Sequence, residues 1–314
     1  MDFPKISIVI PVFNEEQYLA QCLESIQTLD YPLNKLEVLL VDNGSTDKSV
    51  DIAKQYGFKV IVKTDVNVGG VRNWGVKNTT GEVIVFLDSD CVVNPNWLKD
   101  GIDCLDGYEA IGGLCLLRDN ASWIERGWIL NSADNHVYQT TLVGACIFIF
   151  REAFNKIDGF DENLTAGEDC DLSERLMSSG RRINIDPRIS VIHLGFPNTI
   201  MAFIKRQIWH SENCYQRLPK AFLDKTFIIT HLYIISAACF FYLVFSSTPA
   251  MIIKLASTGV IALPAVLTLK RTLRHKVKPT QVKIIFMAYM ADTLYLIGRS
   301  LGAAKSLKRF FKKP

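Results

Sequence analysis

Two apolar, β-branched runs, residues 36–41 (LEVLLV) and 83–87 (VIVFL), each end in an acidic cluster. The first leads into Asp42-Asn43-Gly44-Ser45-Thr46-Asp47 and the second into Asp88-Ser89-Asp90. Short continuous apolar runs of this kind read as strands buried on both faces, the state of strands in a helix-covered parallel sheet. Open sheets of that type bind ligands outside the carboxyl ends of their strands. A third cluster, Glu168-Asp169-Cys170-Asp171, opens a segment of helical pattern. Carboxylates converging on one sheet edge suit a divalent cation and a phosphate-bearing substrate.

The elements between the clusters support that sheet. Residues 5–12 read as a buried strand, and Asn14 offers an N-cap with Gln17 at the capping-box position. Tyr18, Leu19, Cys22, Leu23, Ile26 and Leu29 then recur at helical spacing. After strand 36–41 come a helix over 48–56, a strand over 58–63, a glycine-opened helix over 69–79 and a strand over 82–87. This β-α-β-α-β-α-β order predicts an α/β fold: a doubly wound, Rossmann-like, mostly parallel sheet with helices on both faces. Arg72 and Asn73 would face the acidic rim from helix 69–79. Residues 142–150 read as a further strand, 168–179 as a helix stopped by Gly180, and 191–193 as a short strand running into a loop.

The net charge of +3 conceals a division along the chain. Residues 1–197 hold 17 Lys and Arg against 29 Asp and Glu, whereas residues 198–314 hold 18 against 3. An acidic front with a basic, apolar back describes a catalytic module attached to an anionic membrane surface. A nucleic-acid tail is the poorer competing reading, because the basic residues flank long apolar runs and form no polar stripe, and no nucleic-acid partner is expected. Residues 198–225 form an amphipathic linking segment, with Trp209 and Arg206 as interfacial anchors. Residues 226–247 carry no formal charge, and a helix of that length, about 33 Å, matches a bilayer core of about 30 Å. Residues 249–269 form a second candidate span. Basic residues flank the pair on both outer sides (Lys220 and Lys225; Lys270, Arg271, Arg274, Lys276 and Lys278), while the intervening 246–249 turn has none. The positive-inside rule reads this as a hairpin with both ends in the cytoplasm; two buried helices of a soluble domain are the alternative. Residues 282–298, carrying Lys283 and Asp292, read as an interfacial helix in preference to a third span, and a basic tail completes the 226–314 membrane region.

Eight cysteines show neither a CxxC pair nor metal-ligand spacing, so buried reduced thiols are expected. The N-terminus has no basic stretch before its short apolar run, so the front half is expected in the cytoplasm.

Assembled in order, the motifs resemble glycosyltransferase family 2, whose members have the GT-A fold and act with inversion. The matching elements are Ile8-Val9-Ile10-Pro11-Val12-Phe13-Asn14-Glu15, Val41-Asp42-Asn43-Gly44-Ser45-Thr46-Asp47 and Asn67-Val68-Gly69-Gly70-Val71-Arg72-Asn73. Phe86-Leu87-Asp88-Ser89-Asp90, Gly167-Glu168-Asp169-Cys170-Asp171-Leu172 and Val191-Ile192-His193 follow. The resemblance covers about residues 5–195. It implies a nucleotide-sugar donor held by Pro11, Phe13, Glu15, Asp42, Asn43, Arg72, Asn73 and Asp88. It also implies Mg²⁺ or Mn²⁺ on Asp90 and Asp88, and Asp169 as catalytic base with Glu168 orienting it. The family often has a second acid at position 43, where this chain has Asn43. His193 is either a third metal ligand or a packed, hydrogen-bonded histidine. Processive members carry Gln-x-x-Arg-Trp near the linking segment; Arg206-Gln207-Ile208-Trp209 departs from it, which argues for one sugar per acceptor.

The resulting expectation is an inverting, metal-dependent transfer of one sugar from a nucleotide-diphosphate sugar to an acceptor hydroxyl, that of a lipid-linked saccharide, at the cytoplasmic face of the inner membrane. Cell-surface polysaccharide or glycolipid synthesis is the setting it implies. Two alternatives stay open: a catalytically silent scaffold with this fold, and a sugar nucleotidyltransferase. The latter usually opens with a glycine-rich phosphate loop, and Pro11-Val12-Phe13-Asn14-Glu15-Glu16 stands in its place.

Overall fold

The computed structural model describes residues 3–130, 140–211, 214–217, 222, 224–246 and 251–311. They divide into two bodies. One comprises Met1–Arg118 and Val137–Gly195, the other Asp119–His136 and Phe196–Pro314.

In chain order the first body contains β1 (Ile6–Val12), α1 (Leu19–Gln27), β2 (Leu36–Asp42), α2 (Ser49–Gln55), β3 (Lys59–Val62), α3 (Val68–Lys77) and β4 (Val83–Leu87). β5 (Cys91–Val92), α4 (Trp97–Leu105), β6 (Ala110–Gly112) and β7 (Cys115–Leu116) follow. After α5 (Trp123–Trp128), which belongs to the second body, come β8 (Cys146–Phe150), α6 (Arg151–Lys156), α7 (Glu168–Ser178), β9 (Ile183–Ile185) and β10 (Val191–His193). The main sheet has the order β3-β2-β1-β4-β8-β6-β9, and a small sheet has the order β5-β10-β7. β3, β2, β1 and β4 run parallel, whereas β8 is antiparallel to both β4 and β6.

Alternation along the strands builds two hydrophobic layers. Ile8, Ile10, Val83 and Val85 pack with Leu23 of α1 and Trp97 and Leu98 of α4. Val9, Ile84 and Phe86 face the other way, onto Val71 of α3, Phe154 of α6 and Leu172 and Leu176 of α7. Each such side chain stabilises the fold by about 1.5–3 kcal/mol on burial. Gly75 lets α3 lie close to the sheet, since a Cβ there would come within 2.3 Å of Val9 Cγ1.

Two local expectations need correction. Asn14 does not cap a helix. Its φ of 56° is left-handed, its Oδ1 accepts from the Thr46 N–H at 2.8 Å, and α1 starts only at Leu19. Asparagine tolerates that conformation, and its short amide reaches the neighbouring loop better than a helix end. Residues 142–145 are not strand: the Leu142 and Gly144 N–H groups donate to side chains of α7 instead of a ladder.

The second body contains α5, α8 (Ile200–Ser211), α9 (Lys225–Phe245), α10 (Met251–Ser257), α11 (Gly259–Arg274) and α12 (Val282–Phe310). By length and composition, Lys225–Phe245, Met251–Arg274 and Val282–Phe310 could each cross a membrane. Asp292 of α12 is buried, accepts from Thr268 Oγ1 at 2.7 Å and pairs with Arg271 at 2.5 Å. Arg271 also donates to the Gly127 carbonyl at 3.0 Å and to that of Trp128, closing the C-terminus of α5. Lys220, most of the 246–249 turn and the last three residues of the basic tail lie outside the described residues.

Candidate active site

The register of the parallel strands assembles the rim. Val12 stands level with Asp42, and continuing the pairing of β1 with β4 puts Asp88 level with Pro11. Pro11 is half-buried at the end of β1, and beyond it Phe13 projects into solvent, 56% exposed. Two loops are then laced together. Asn14 N–H donates to Ser45 Oγ, Glu15 N–H to Ser49 Oγ and Glu16 N–H to Asp47 Oδ2, at 2.8–3.0 Å. Asp42 is buried, and its Oδ2 accepts from the Gly44 and Ser45 N–H groups at 2.9 and 3.1 Å. Asn43 donates its amide to the Val66 carbonyl at 3.1 Å. Both side chains therefore shape the loop that borders the rim.

Glu15 feels this crowding of acids. Burial, then the charges of Asp90, Asp88 and Asp47, raise its carboxyl to about 7. An acid with a raised folded-state pKa contributes its full stability below its unfolded value and loses it as pH climbs to the folded value. Glu15→Gln should therefore melt higher than the parent by a margin that grows from about pH 4.5 to 7 and then stays level. Thermal melts across pH 4–8 measure this. A margin independent of pH would show that the acids do not repel Glu15.

Arg72 lies at the centre. It projects from α3, is 3% exposed, and donates to Asp88 Oδ1 through Nη2 and to Glu168 Oε1 through Nη1, both at 2.8 Å. Gly144 makes room for it, since a Cβ there would approach Nη2 to 2.5 Å. The guanidinium expected on a donor diphosphate thus joins two carboxylates of its own chain. Glu168, next to Asp169 in the chain, is bonded to Arg72. Asp169, half-buried in the first turn of α7, receives the Gly144 N–H on Oδ2 at 3.1 Å and the Cys170 N–H on Oδ1 at 2.8 Å.

Asn73 is bonded to the loop that precedes α7. Its Nδ2 donates to the Phe160 carbonyl and to Glu162 Oε1, and its Oδ1 accepts from the Phe160 N–H, all at 2.9 Å. The Arg72 guanidinium lies over the ring of the same Phe160, 5.5 Å from its centre. Asn73 fixes the loop that leads into α7. Asn67, the N-cap of α3, bonds the same loop at the carbonyls of Glu162 and Leu164.

A second cluster forms where β5 pairs antiparallel with β10, setting His193 opposite Cys91. Leu194 N–H donates to the Asp90 carbonyl at 2.8 Å, and His193 Nδ1 lies 3.4 Å from Asp90 Oδ2. Donor atoms of Asp90, Cys91 and His193 fall within 4.8 Å of one another. A carboxylate with an imidazole is a donor set that suits a Mn²⁺-like divalent cation. The space beside Asp90 is kept by Gly195, whose Cβ would lie 2.0 Å from Oδ2. Burial, and then Asp90, push the Cys91 thiol well above its usual range, so it stays protonated, a poor ligand for a hard cation. Asp88 is drawn to Arg72 through one oxygen, so Asp90 and His193 form the tighter pair. The sequence reading singled out both residues but not Cys91 or Gly195; the small sheet beside them consists of strands of two or three residues, which carry no periodic signal.

Two family models match the chain: "Glycosyl transferase family 2" over residues 7–157 and "Glycosyl transferase family group 2" over residues 83–275. The chain belongs to glycosyltransferase family 2. Within this family it is 25% identical over 309 residues to the dolichyl N-acetyl-alpha-D-glucosaminyl phosphate 3-beta-D-2,3-diacetamido-2,3-dideoxy-beta-D-glucuronosyltransferase of Methanococcus voltae, covering 84% of this chain and 92% of the relative. It is 33% identical to glycosyltransferase AglE of Haloferax volcanii over 118 residues, 35% of this chain and 39% of that protein. Several other curated relatives are likewise spanned only in part, 30% for the putative glycosyltransferase EpsH of Bacillus subtilis. The mannosyltransferase PcManGT of Pyrobaculum calidifontis, solved with GDP-Man and Mn²⁺, shares the fold. Its TM-score is 0.59 at 17% identity, over 99% of this chain and 88% of that one. The first body of this family 2 chain is a GT-A-type α/β domain.

Proposed function

We propose that the chain transfers one sugar from a nucleotide-diphosphate sugar to an acceptor hydroxyl, with inversion. The observation that carries the reading is the chain of contacts Asp88–Arg72–Glu168, which ties the donor rim to the first turn of α7, where Asp169 sits. Phe13, Glu15 and the Asp42 loop border the nucleotide end of the rim. Asp90 and His193, with Asp88 beside them, would hold Mg²⁺ or Mn²⁺, which supplies charge neutralisation for the departing nucleoside diphosphate. Asp169 takes the proton of the acceptor hydroxyl as its oxygen forms the bond to the sugar anomeric carbon and the bond to the diphosphate oxygen breaks. Its two N–H partners fix the carboxylate in place for that transfer.

The acceptor proposed is a lipid-linked saccharide at the cytoplasmic face of the membrane. The long relative from Methanococcus voltae, whose name specifies a dolichyl-phosphate sugar, supports this class. α9 and the α10–α11 pair form the membrane hairpin, with basic flanks on the cytoplasmic side. α12 lies in the interface, because α5 and α8 pack along it and carry Glu125, Arg126, Lys205 and Arg206.

A donor screen on detergent-purified protein with Mn²⁺ or Mg²⁺ tests the reading by following nucleoside diphosphate release from UDP-, GDP- and dTDP-sugars. One donor should be consumed, and Asp90→Ala should reduce its turnover to background. If every donor survives even with membrane lipid extract present, the silent-scaffold reading replaces this one.

A further inference from the structure

α8 and α12 meet through glycines. A Cβ at Gly298 would come within 2.6 Å of Gln207 Cβ, and one at Gly302 within 2.5 Å of the Ile208 carbonyl oxygen. This close approach fixes Arg299 beside the end of α8, its Nη1 at 3.3 Å from the His210 carbonyl and 3.5 Å from Ser211 Oγ. Arg206 lies one helical turn before His210 on the same helix, its guanidinium 5.9 Å from the Phe196 ring centre. Two guanidinium groups thereby flank one imidazole. Partial withdrawal from water, then the charges of Arg299 and Arg206, push that imidazole down to about 4.

Within the two helices the charge is one-sided. α8 contains no Asp or Glu, the next acid in the sequence being Glu212 after its last residue, and α12 has none from Tyr295 onward. Arg299 Nε is withdrawn from solvent without a hydrogen-bond partner among the described residues. Exposed Trp209, 4.7 Å ring to ring from His210, adjoins the charges, and Ile200 and Met201 are exposed at the start of the same helix. Guanidinium groups recognise phosphate oxygens as planar forks, and a tryptophan at their side belongs at a headgroup layer.

We infer that Arg206, His210 and Arg299 form a binding site for a lipid-borne phosphate where α8 crosses α12. This rests on the membrane attachment proposed above and adds to it a defined ligand site. The phosphate is carried either by an anionic glycerophospholipid of the bilayer or by the polyprenyl carrier of an acceptor.

Native mass spectrometry of the full chain in neutral detergent, titrated with phosphatidylglycerol, polyprenyl phosphate or phosphatidylcholine, separates these sources. Both anionic lipids should be retained over phosphatidylcholine, and Arg206→Gln/Arg299→Gln should weaken that retention roughly tenfold or more. Arg206→Lys/Arg299→Lys should keep most of it. Equal affinity for the two anionic lipids assigns the bilayer headgroup; a tenfold preference for polyprenyl phosphate assigns the acceptor carrier. Lys276→Gln/Lys278→Gln removes the same charge elsewhere and should change little. Unchanged retention in the Arg206/Arg299 glutamine variant, or an equal loss in the lysine control, would overturn the site. A thermal melt of the glutamine variant in the same detergent, matching the parent, reports its folding. Release of the chain from membranes by alkaline carbonate would sink the attachment reading alone, leaving the lipid titration to judge the site.

Discussion

Asp169→Asn is expected to lower the transfer rate by about 10²–10⁴-fold, the range that a positioned general base contributes. The amide is nearly isosteric, and its oxygen can still accept the Gly144 N–H that holds Asp169 at 3.1 Å. It cannot accept the acceptor's proton. Donor affinity should therefore stay within about threefold of the parent, because the change removes an interaction made only in the transition state. Donor titration by calorimetry and single-turnover transfer on the same preparation measure the two quantities separately. A variant that transfers at the parent rate would sink the base assignment. Loss of donor affinity in step with rate would instead make Asp169 part of the donor site.

The second large effect concerns Arg72. Arg72→Met keeps much of the side-chain volume but leaves Glu168, 8% exposed, and Asp88, 30% exposed, facing each other without the cation. Removing one partner of a buried ion pair costs about 3–5 kcal/mol, because the remaining charge stays desolvated. In a domain of this size that lowers Tm by roughly 10 °C. Arg72→Met/Glu168→Gln should recover part of the loss, since the more buried of the stranded charges is then gone. The double variant should thus be more stable than the single, a non-additivity that contact between the residues requires. If Arg72→Met melts with the parent, Arg72 is not the clasp between Asp88 and α7. A further loss in the double variant would say the same.

Much of this was legible in one dimension. The core strands could be read because a buried parallel strand needs a mainly apolar run, which 83–87 supplies without a break and 36–41 with Glu37 as its one polar residue. The rim followed, because parallel strands put their carboxyl ends on one edge, where Asp42 and Asp88 stand. The helix from Glu168 was legible through its acidic first turn and its Gly180 stop. Asn14 was misread because the same residue serves as a helix cap and as a left-handed turn, and the choice between them depends on Thr46, 32 positions away. The strand read over 142–150 was too long because hydrogen-bond acceptors on α7 compete for the N–H groups of Leu142 and Gly144.

The sequence by itself determined the α/β architecture, the acidic edge and the apolar, basic C-terminal third, because each is written in local composition and period. Tertiary structure alone decided the partners. It turned Arg72 onto Asp88 and Glu168, bound Asn73 to the loop before α7, and brought His193 to Asp90 across 103 residues through strands of two and three residues. Such pairings depend on distances between segments remote in the chain. Those distances are set by the packing of the sheet and its helices, and residue spacing along the sequence does not record them.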